Sequence, residues 1–287
     1  MILNALASPH SLFEPKTGTF GSEYFKKYNT AQPFPHIVFD DFINEEVLNL
    51  CLQHFPDSEK AQASYNRSQE KKKFEYKPEV LDPPLRALFY SFNSLPFINF
   101  LQNLTGINGL IPDPYFLGAG LHEVQLGGYL NIHADFNHHK QLDLERRINV
   151  LIYLNKEWKE EYGGSLELWD EKMQSCKARI TPLFNRCVIF NTSAGSLHGN
   201  PEPVAHPKGM PRRAIALYYY TATWDPARLN RTTRFNPRPN TDDTFDFRVR
   251  TRELMEDISP PLLLRTARRV MRLVQRQRSK SVYPERA

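Results

Sequence analysis

The chain has 287 residues, 40% hydrophobic and 24% charged, which is the balance of a globular protein and excludes wholesale disorder. Its formal charge is +5, but eight basic residues and one acid lie from residue 260 onward, leaving 29 bases against 31 acids in the rest. A nearly neutral body gives no electrostatic footing for nucleic acid, and no nucleic-acid partner is expected.

Residues 1–35 show weak periodicity, and His36 to Asp40 reads as a short strand. Asn44 is placed to cap a helix carrying Val47, Leu50, Cys51 and His54 on one face. Residues 56–80, with the run Lys71-Lys72-Lys73, read as a solvated loop. Pro83 to Thr105 predicts two helices with Ser94 as a cap between them. From about residue 115 the pattern changes to short β-rich runs at 119–126, 129–135, 147–154, 165–169, 177–180, 186–191 and 213–220. Turns are predicted at Gly127-Gly128, Gly163-Gly164 and Gly199-Asn200-Pro201. Short strands at this spacing predict an antiparallel sandwich or barrel of the jelly-roll kind. Residues 224–243 read as an extended connector, and helices are predicted over 246–257 and 260–278.

The stretch Tyr129 to Phe136 reads as a strand bearing His133 and Asp135. Side chains two apart leave a strand on the same face, so both can reach one point. An imidazole and a carboxylate there make two-thirds of the facial triad that holds non-haem Fe(II). A third ligand is available in His198, in the small-residue stretch Ser196-Leu197-His198-Gly199 after the apolar run Cys187 to Phe190. Arg212-Arg213-Ala214-Ile215 then opens a strand with a basic pair. Three ligands leave three positions on a six-coordinate iron for a chelating 2-oxo acid and dioxygen. The far carboxylate of such a co-substrate calls for a planar bidentate donor such as Arg.

In order, the HxD pair, Tyr153-Leu154-Asn155, Gly163-Gly164-Ser165-Leu166-Glu167-Leu168, Val188-Ile189-Phe190, His198 and the Arg strand fill residues 115–224. This region resembles the Fe(II)/2-oxoglutarate-dependent dioxygenase superfamily, in the branch related to prolyl 4-hydroxylases. The resemblance implies a double-stranded β-helix, mainly β with flanking helices, and His133, Asp135 and His198 as iron ligands. It makes Arg212 and Tyr153 the contacts of the 2-oxoglutarate carboxylate, although Tyr153 also suits plain core packing. Ala214 stands where the family often has Ser, and Leu130 where prolyl-hydroxylase relatives often have Tyr. By alternation, Tyr129 and Asn131 share the inward face with His133. Asn131 is then a candidate contact of co-substrate or substrate, or the partner of a buried backbone group. Arg213 is expected on the opposite face, at the surface. Fe(II) is the expected cofactor and 2-oxoglutarate and O2 the co-substrates, with ascorbate a candidate stimulant. Relatives that halogenate lack the carboxylate ligand, so Asp135 favours hydroxylation of a C–H bond.

The remaining histidines suggest less. His138 and His139 read as an exposed loop pair near the site entrance, His122 as a satisfied core residue, and His206 has no evident partner. Glu167 and Asp170 are expected at the surface. In the tail, Ser259 caps a helix whose leucines and valines fall on one side and whose arginines fall on the other. Such a helix either lies on an anionic membrane through residues 260–278 or packs on the body. Three scattered cysteines (Cys51, Cys176 and Cys187) without a CxxC pair fit a reducing compartment. No signal peptide or bilayer-length apolar run is visible. The expected location is cytoplasmic, or peripheral on the cytoplasmic face of a membrane.

The expected organisation is a helical and strand region (1–114) packed on an oxygenase core (115–224), followed by a connector and basic helix (225–287). The substrate expected for a membrane-docked enzyme is an anionic glycolipid sugar, since some superfamily members hydroxylate the sugar acid Kdo of lipid A. A protein side chain, free amino acid or natural-product intermediate is the alternative. A non-catalytic jelly-roll binding module is the alternative of another class.

Overall fold

The computed structural model describes residues 13–14, 16–225 and 230–244, so the helices predicted at 246–257 and 260–278 lie outside the described residues. In chain order come α1 (Thr17–Asn29), β1 (His36–Phe39), α2 (Glu45–Gln53), β2 (Ala63–Tyr65) and β3 (Glu70–Tyr76). Next are α3 (Pro83–Phe92), α4 (Leu95–Thr105), β4 (Ile111–Pro112), β5 (Gly120–Ala134), β6 (His138–His139) and β7 (Leu144–Tyr153). The last elements are β8 (Leu166–Trp169), β9 (Cys176–Ile180), β10 (Cys187–Asn191), β11 (Leu197–Asn200), β12 (Arg212–Thr221) and β13 (Arg234–Phe235). The main path through the sheet runs β1-β10-β7-β12-β5-β11-β8-β9, antiparallel throughout, and it curls into a double-stranded β-helix.

Alternation decides what each face carries. Ile148, Val150 and Ile152 of β7, with Ile215, Leu217 and Tyr219 of β12, turn outward beneath the helices. There they meet Phe89, Phe92, Phe97 and Phe100 of α3 and α4 in one continuous core, and the Tyr219 hydroxyl donates to the Phe92 carbonyl at 2.9 Å. The intervening residues face the inside of the roll, where Tyr153 and Ala214 pack with Leu166, Leu168, Val188 and Phe190. That interior holds the candidate site.

Several local expectations change. Helix α1 occupies the weakly periodic segment because its buried face is small, made of Thr17, Gly18 and Gly21 with Tyr28. In α2 the Asn44 side chain accepts from the Glu46 amide at 2.8 Å, as a cap should. Its buried face is Leu48 and Cys51, while His54 is exposed. Residues 56–80 are not a solvated loop: β2 and β3 form a hairpin, and β3 pairs with β5. The predicted turn at Gly127-Gly128 is absent, and β5 runs through it as one strand of 15 residues. Gly127 takes a left-handed φ of +75°, which a glycine adopts without penalty, and the irregularity falls opposite Lys72 of β3. Gly199 and Asn200 likewise belong to β11, and the connector at 224–243 contributes β13, paired with β5 at His133 and Ala134. Ser94 stands at the N-cap of α4 without a capping hydrogen bond from its side chain.

Candidate active site

Pairing of β11 with β5 sets His198 directly opposite His133, with ring centroids 4.5 Å apart. Asp135 follows two residues on, just past the end of β5. Its Oδ1 lies 3.5 Å from His133 Nε2 and its Oδ2 3.4 Å from His198 Nε2. One donor atom from each residue falls within 4.8 Å of the others. Each histidine turns its Nδ1 to a backbone carbonyl at 2.9 Å, His133 to Asn131 and His198 to Ser196. With a proton on each Nδ1, both Nε2 lone pairs point at Asp135, so the donor set fits a small, hard-to-borderline divalent metal. Burial, against the opposing pull of Asp135, pushes the His198 pKa down to about 4, keeping the ring neutral and able to ligate.

Asp135 is itself held from behind. Asn149 donates to its Oδ2 at 2.7 Å and the Arg146 guanidinium lies 3.2 Å away. Arg146 also donates twice to Asn149 Oδ1, at 2.6 and 3.1 Å, and its guanidinium carbon lies 3.5 Å from the centroid of the Tyr218 ring. Burial works against charge on Asp135, but Arg146 holds it well below the usual carboxylate range. Neither Arg146 nor Asn149 emerged from the sequence. Asn149 was detectable, because it shares the inward phase of β7 with Tyr153.

These groups sit in a cavity of about 520 Å³. On its wall lies Arg212, 6% exposed, which donates from Nε to the Gly164 carbonyl at 2.7 Å and from Nη2 to the Tyr153 hydroxyl at 3.3 Å. Gly164 has φ +66°, and a β-carbon there would come within 2.9 Å of Arg212 Cδ, so the predicted Gly-Gly turn also seats the arginine. Arg212 has no carboxylate within ion-pair distance among the described residues, which leaves a buried cation without an anion. Burial lowers its pKa and raises that of Tyr153. Ala214, at the family's Ser position, also lines the cavity.

The inward alternation expected for Tyr129 and Asn131 does not hold. A bulge sets Leu130 and His133 of β5 opposite Asn200 and His198 of β11, and Leu130 lines the cavity. Asn131 is buried but off the cavity wall, and Tyr129 turns its hydroxyl to the Ser68 carbonyl at 3.1 Å.

Facing the His-Asp-His group is a charged wall carried largely by the supposed loop. Lys73 Nζ lies 2.8 Å from Glu75 Oε1 and 3.8 Å from Glu70 Oε1, and Arg67 closes on Glu70 at 2.7 Å. His122 stands 3.8 Å from Glu75, donates from Nε2 to the Gly118 carbonyl at 3.0 Å, and is pushed down by burial to a pKa of about 4. It is a satisfied core histidine that also lines the site.

Other expectations shift with burial. His139 is fully buried against Asp113 and Tyr220, and His138 stacks on Trp224 at 4.1 Å while bonding Asp143. They are not an exposed pair. Glu167 is 1% exposed, gripped by Trp169 and Arg179. Arg213 leaves the opposite face of β12, but it is half-buried against Glu123 and Phe55. His206 packs between Trp158 and Tyr162. Asp170 does lie partly exposed, organising the turn through the amides of Lys172, Gln174 and Ser175.

Residues 119–220 match the family model of the 2OG-Fe(II) oxygenase superfamily. No curated protein matches the chain. Among solved structures, a prolyl hydroxylase from Trichoplax adhaerens, in complex with a hypoxia-inducible factor fragment, aligns at 17% identity with a TM-score of 0.53, covering 71% of this chain and 90% of its own. A prolyl 4-hydroxylase from Phytophthora capsici aligns at 18% identity with a TM-score of 0.51, covering 79% and 74%. These likenesses share the fold. The stretch that matches the family model, 119–220, contains all three residues of the converging His-Asp-His group, on a prolyl-hydroxylase-like fold.

Proposed function

We propose that His133, Asp135 and His198 hold the Fe(II), that Arg212 and Tyr153 hold the distal carboxylate of 2-oxoglutarate, and that the product is an alcohol formed at an unactivated C–H bond. The observation that carries this reading is Arg212, a buried guanidinium in the same cavity as the His-Asp-His group and with no carboxylate of its own among the described residues. Iron bound there supplies oxygen activation coupled to decarboxylation of 2-oxoglutarate to succinate. Both imidazoles are aimed by their backbone acceptors, and burial keeps His198 neutral. Asp135 stays charged because Arg146 faces it. The Tyr153 hydroxyl accepts from Arg212 and keeps its own proton to donate to the incoming carboxylate.

For the substrate, we propose a polar, anionic sugar presented on a glycolipid, such as Kdo of lipid A. The charged wall of Arg67, Glu70, Lys73 and Glu75 supports a polyhydroxylated partner over a prolyl side chain. The amphipathic sequence of residues 260–278 supports delivery at an anionic membrane. Among the described residues no helix is long and apolar enough to cross a membrane.

Anaerobic addition of Fe(II) and 2-oxoglutarate tests the site: the chelate has a weak visible charge-transfer band, expected in the wild type and lost in His133→Ala. No band in the wild type overturns the assignment and favours a binding module. Succinate release with lipopolysaccharide precursors tests the substrate. Co-sedimentation with anionic vesicles tests the tail, since binding that survives deletion of residues 260–287 removes the membrane argument.

A further inference from the structure

A second cavity, of about 560 Å³, shares Lys77, Leu117, Phe136 and Thr233 with the one that holds the metal-binding group. Its lining brings Lys77 and Lys140 together with the carboxylate of Glu79. Lys77 and Lys140 have no ion-pair partner among the described residues. Two apolar side chains lie open beside these cations, Tyr115 at 50% and Leu117 at 38% exposure. The wall on the His138 side is fixed, because that ring stacks on Trp224 and its Nε2 bonds Asp143 at 2.8 Å. A built surface that pairs uncompensated cations with exposed apolar groups matches an amphipathic anion.

We infer that this second cavity binds an acidic group, phosphate or carboxylate, on the part of the substrate remote from the reacting carbon. The inference rests on the oxygenase reading and deepens it. The substrate is elongated: its reacting carbon lies in the first cavity, the chain passes Thr233, and its acidic end meets Lys77 and Lys140. The apolar surface of Tyr115 and Leu117 receives the ring or chain that carries the acid. Remote binding of this kind orients the reacting carbon and selects among molecules with the same reacting group.

The probe is 8-anilinonaphthalene-1-sulfonate, titrated by fluorescence into the Fe(II)/2-oxoglutarate protein under anaerobic conditions. Its uncharged counterpart is N-phenyl-1-naphthylamine. The double variant K77E/K140E is expected to weaken the sulfonate probe at least tenfold and the neutral probe less than twofold. Both positions are surface-accessible, and an unchanged circular dichroism spectrum verifies folding. Equal change in both probes, or no change in either, overturns the inference. Displacement of the sulfonate by pyrophosphate but not citrate assigns a phosphate, and the reverse assigns a carboxylate. Displacement by neither also overturns it. The charge-transfer band is read on the same samples. A normal band with undiscriminating probes sinks the acidic subsite alone, whereas a missing wild-type band sinks the oxygenase reading.

Discussion

Replacing Arg146 by Met removes the only guanidinium facing Asp135 among the described residues while keeping an unbranched side chain in the slot between Phe136 and Tyr218. At 3.2 Å and an effective dielectric near 20, the lost attraction is about 5 kcal/mol. Breaking one side of a buried pair typically costs about 3–5 kcal/mol, because the remaining charge is stranded. For a folded unit of this size that is a fall of roughly 6–20 °C in the melting temperature of the metal-free protein. A divalent metal bound to Asp135 replaces the missing positive charge, so saturating Mn(II) is expected to close at least half of the gap between R146M and wild type. Differential scanning fluorimetry with and without Mn(II) reads both quantities. Arg146→Lys should fall between the two, since it keeps the charge but cannot fork across Asn149 and Asp135. A gap under about 2 °C, or one that Mn(II) leaves unchanged or widens, refutes the charge-pairing argument.

Arg212→Met should raise the Kd for 2-oxoglutarate at least about 100-fold while moving Mn(II) affinity less than about threefold, whereas Tyr153→Phe should cost about 3–10-fold. Isothermal titration checks both, and equal loss of metal and co-substrate would refute the separate roles. Gly164→Ala should destabilise by about 1–2 kcal/mol from the left-handed backbone alone and, by pressing on Arg212, weaken 2-oxoglutarate as well; urea unfolding and the same titration test it. Lowering the pH from 6.5 to 4 should destabilise the metal-free protein, since unfolded histidines take up protons in that window while folded His122 and His198, both pushed down to about 4, do not. Each contributes at most about 3 kcal/mol, so a flat urea midpoint across this range would contradict the buried, neutral assignment.

The grouping of His133, Asp135 and His198 was more legible than the frame around it. His133, Asp135, His198 and Arg212 stood out because ligand-type residues recur on short apolar strands in a fixed order, and local sequence reports that order. Long-range pairing is invisible to the same reading. The run Lys71-Lys72-Lys73 looked solvated, yet Lys73 is paired with Glu75 inside the cavity, because β3 meets a strand some fifty residues away. Glu167 and His139 looked exposed because polar residues usually are, but each is itself buried against a partner brought from another strand or loop. Strict alternation along β5 failed for a different reason: one bulge reverses the phase, putting Leu130 rather than Asn131 on the wall.

The strand pairings also fix the smallest piece of this protein that can be moved. β3 lies along β5, β1 closes the free edge of β10, and β13 lies against His133, yet none of the three belongs to the stretch 119–220 that carries the family pattern. A fragment cut at those limits would expose unpaired backbone along both sides of the site. Grafting that stretch between relatives, or recombining libraries at its borders, would separate the charged wall from the strand that bears His133. Variation in the two has to be inherited together, because a single ladder of hydrogen bonds carries both.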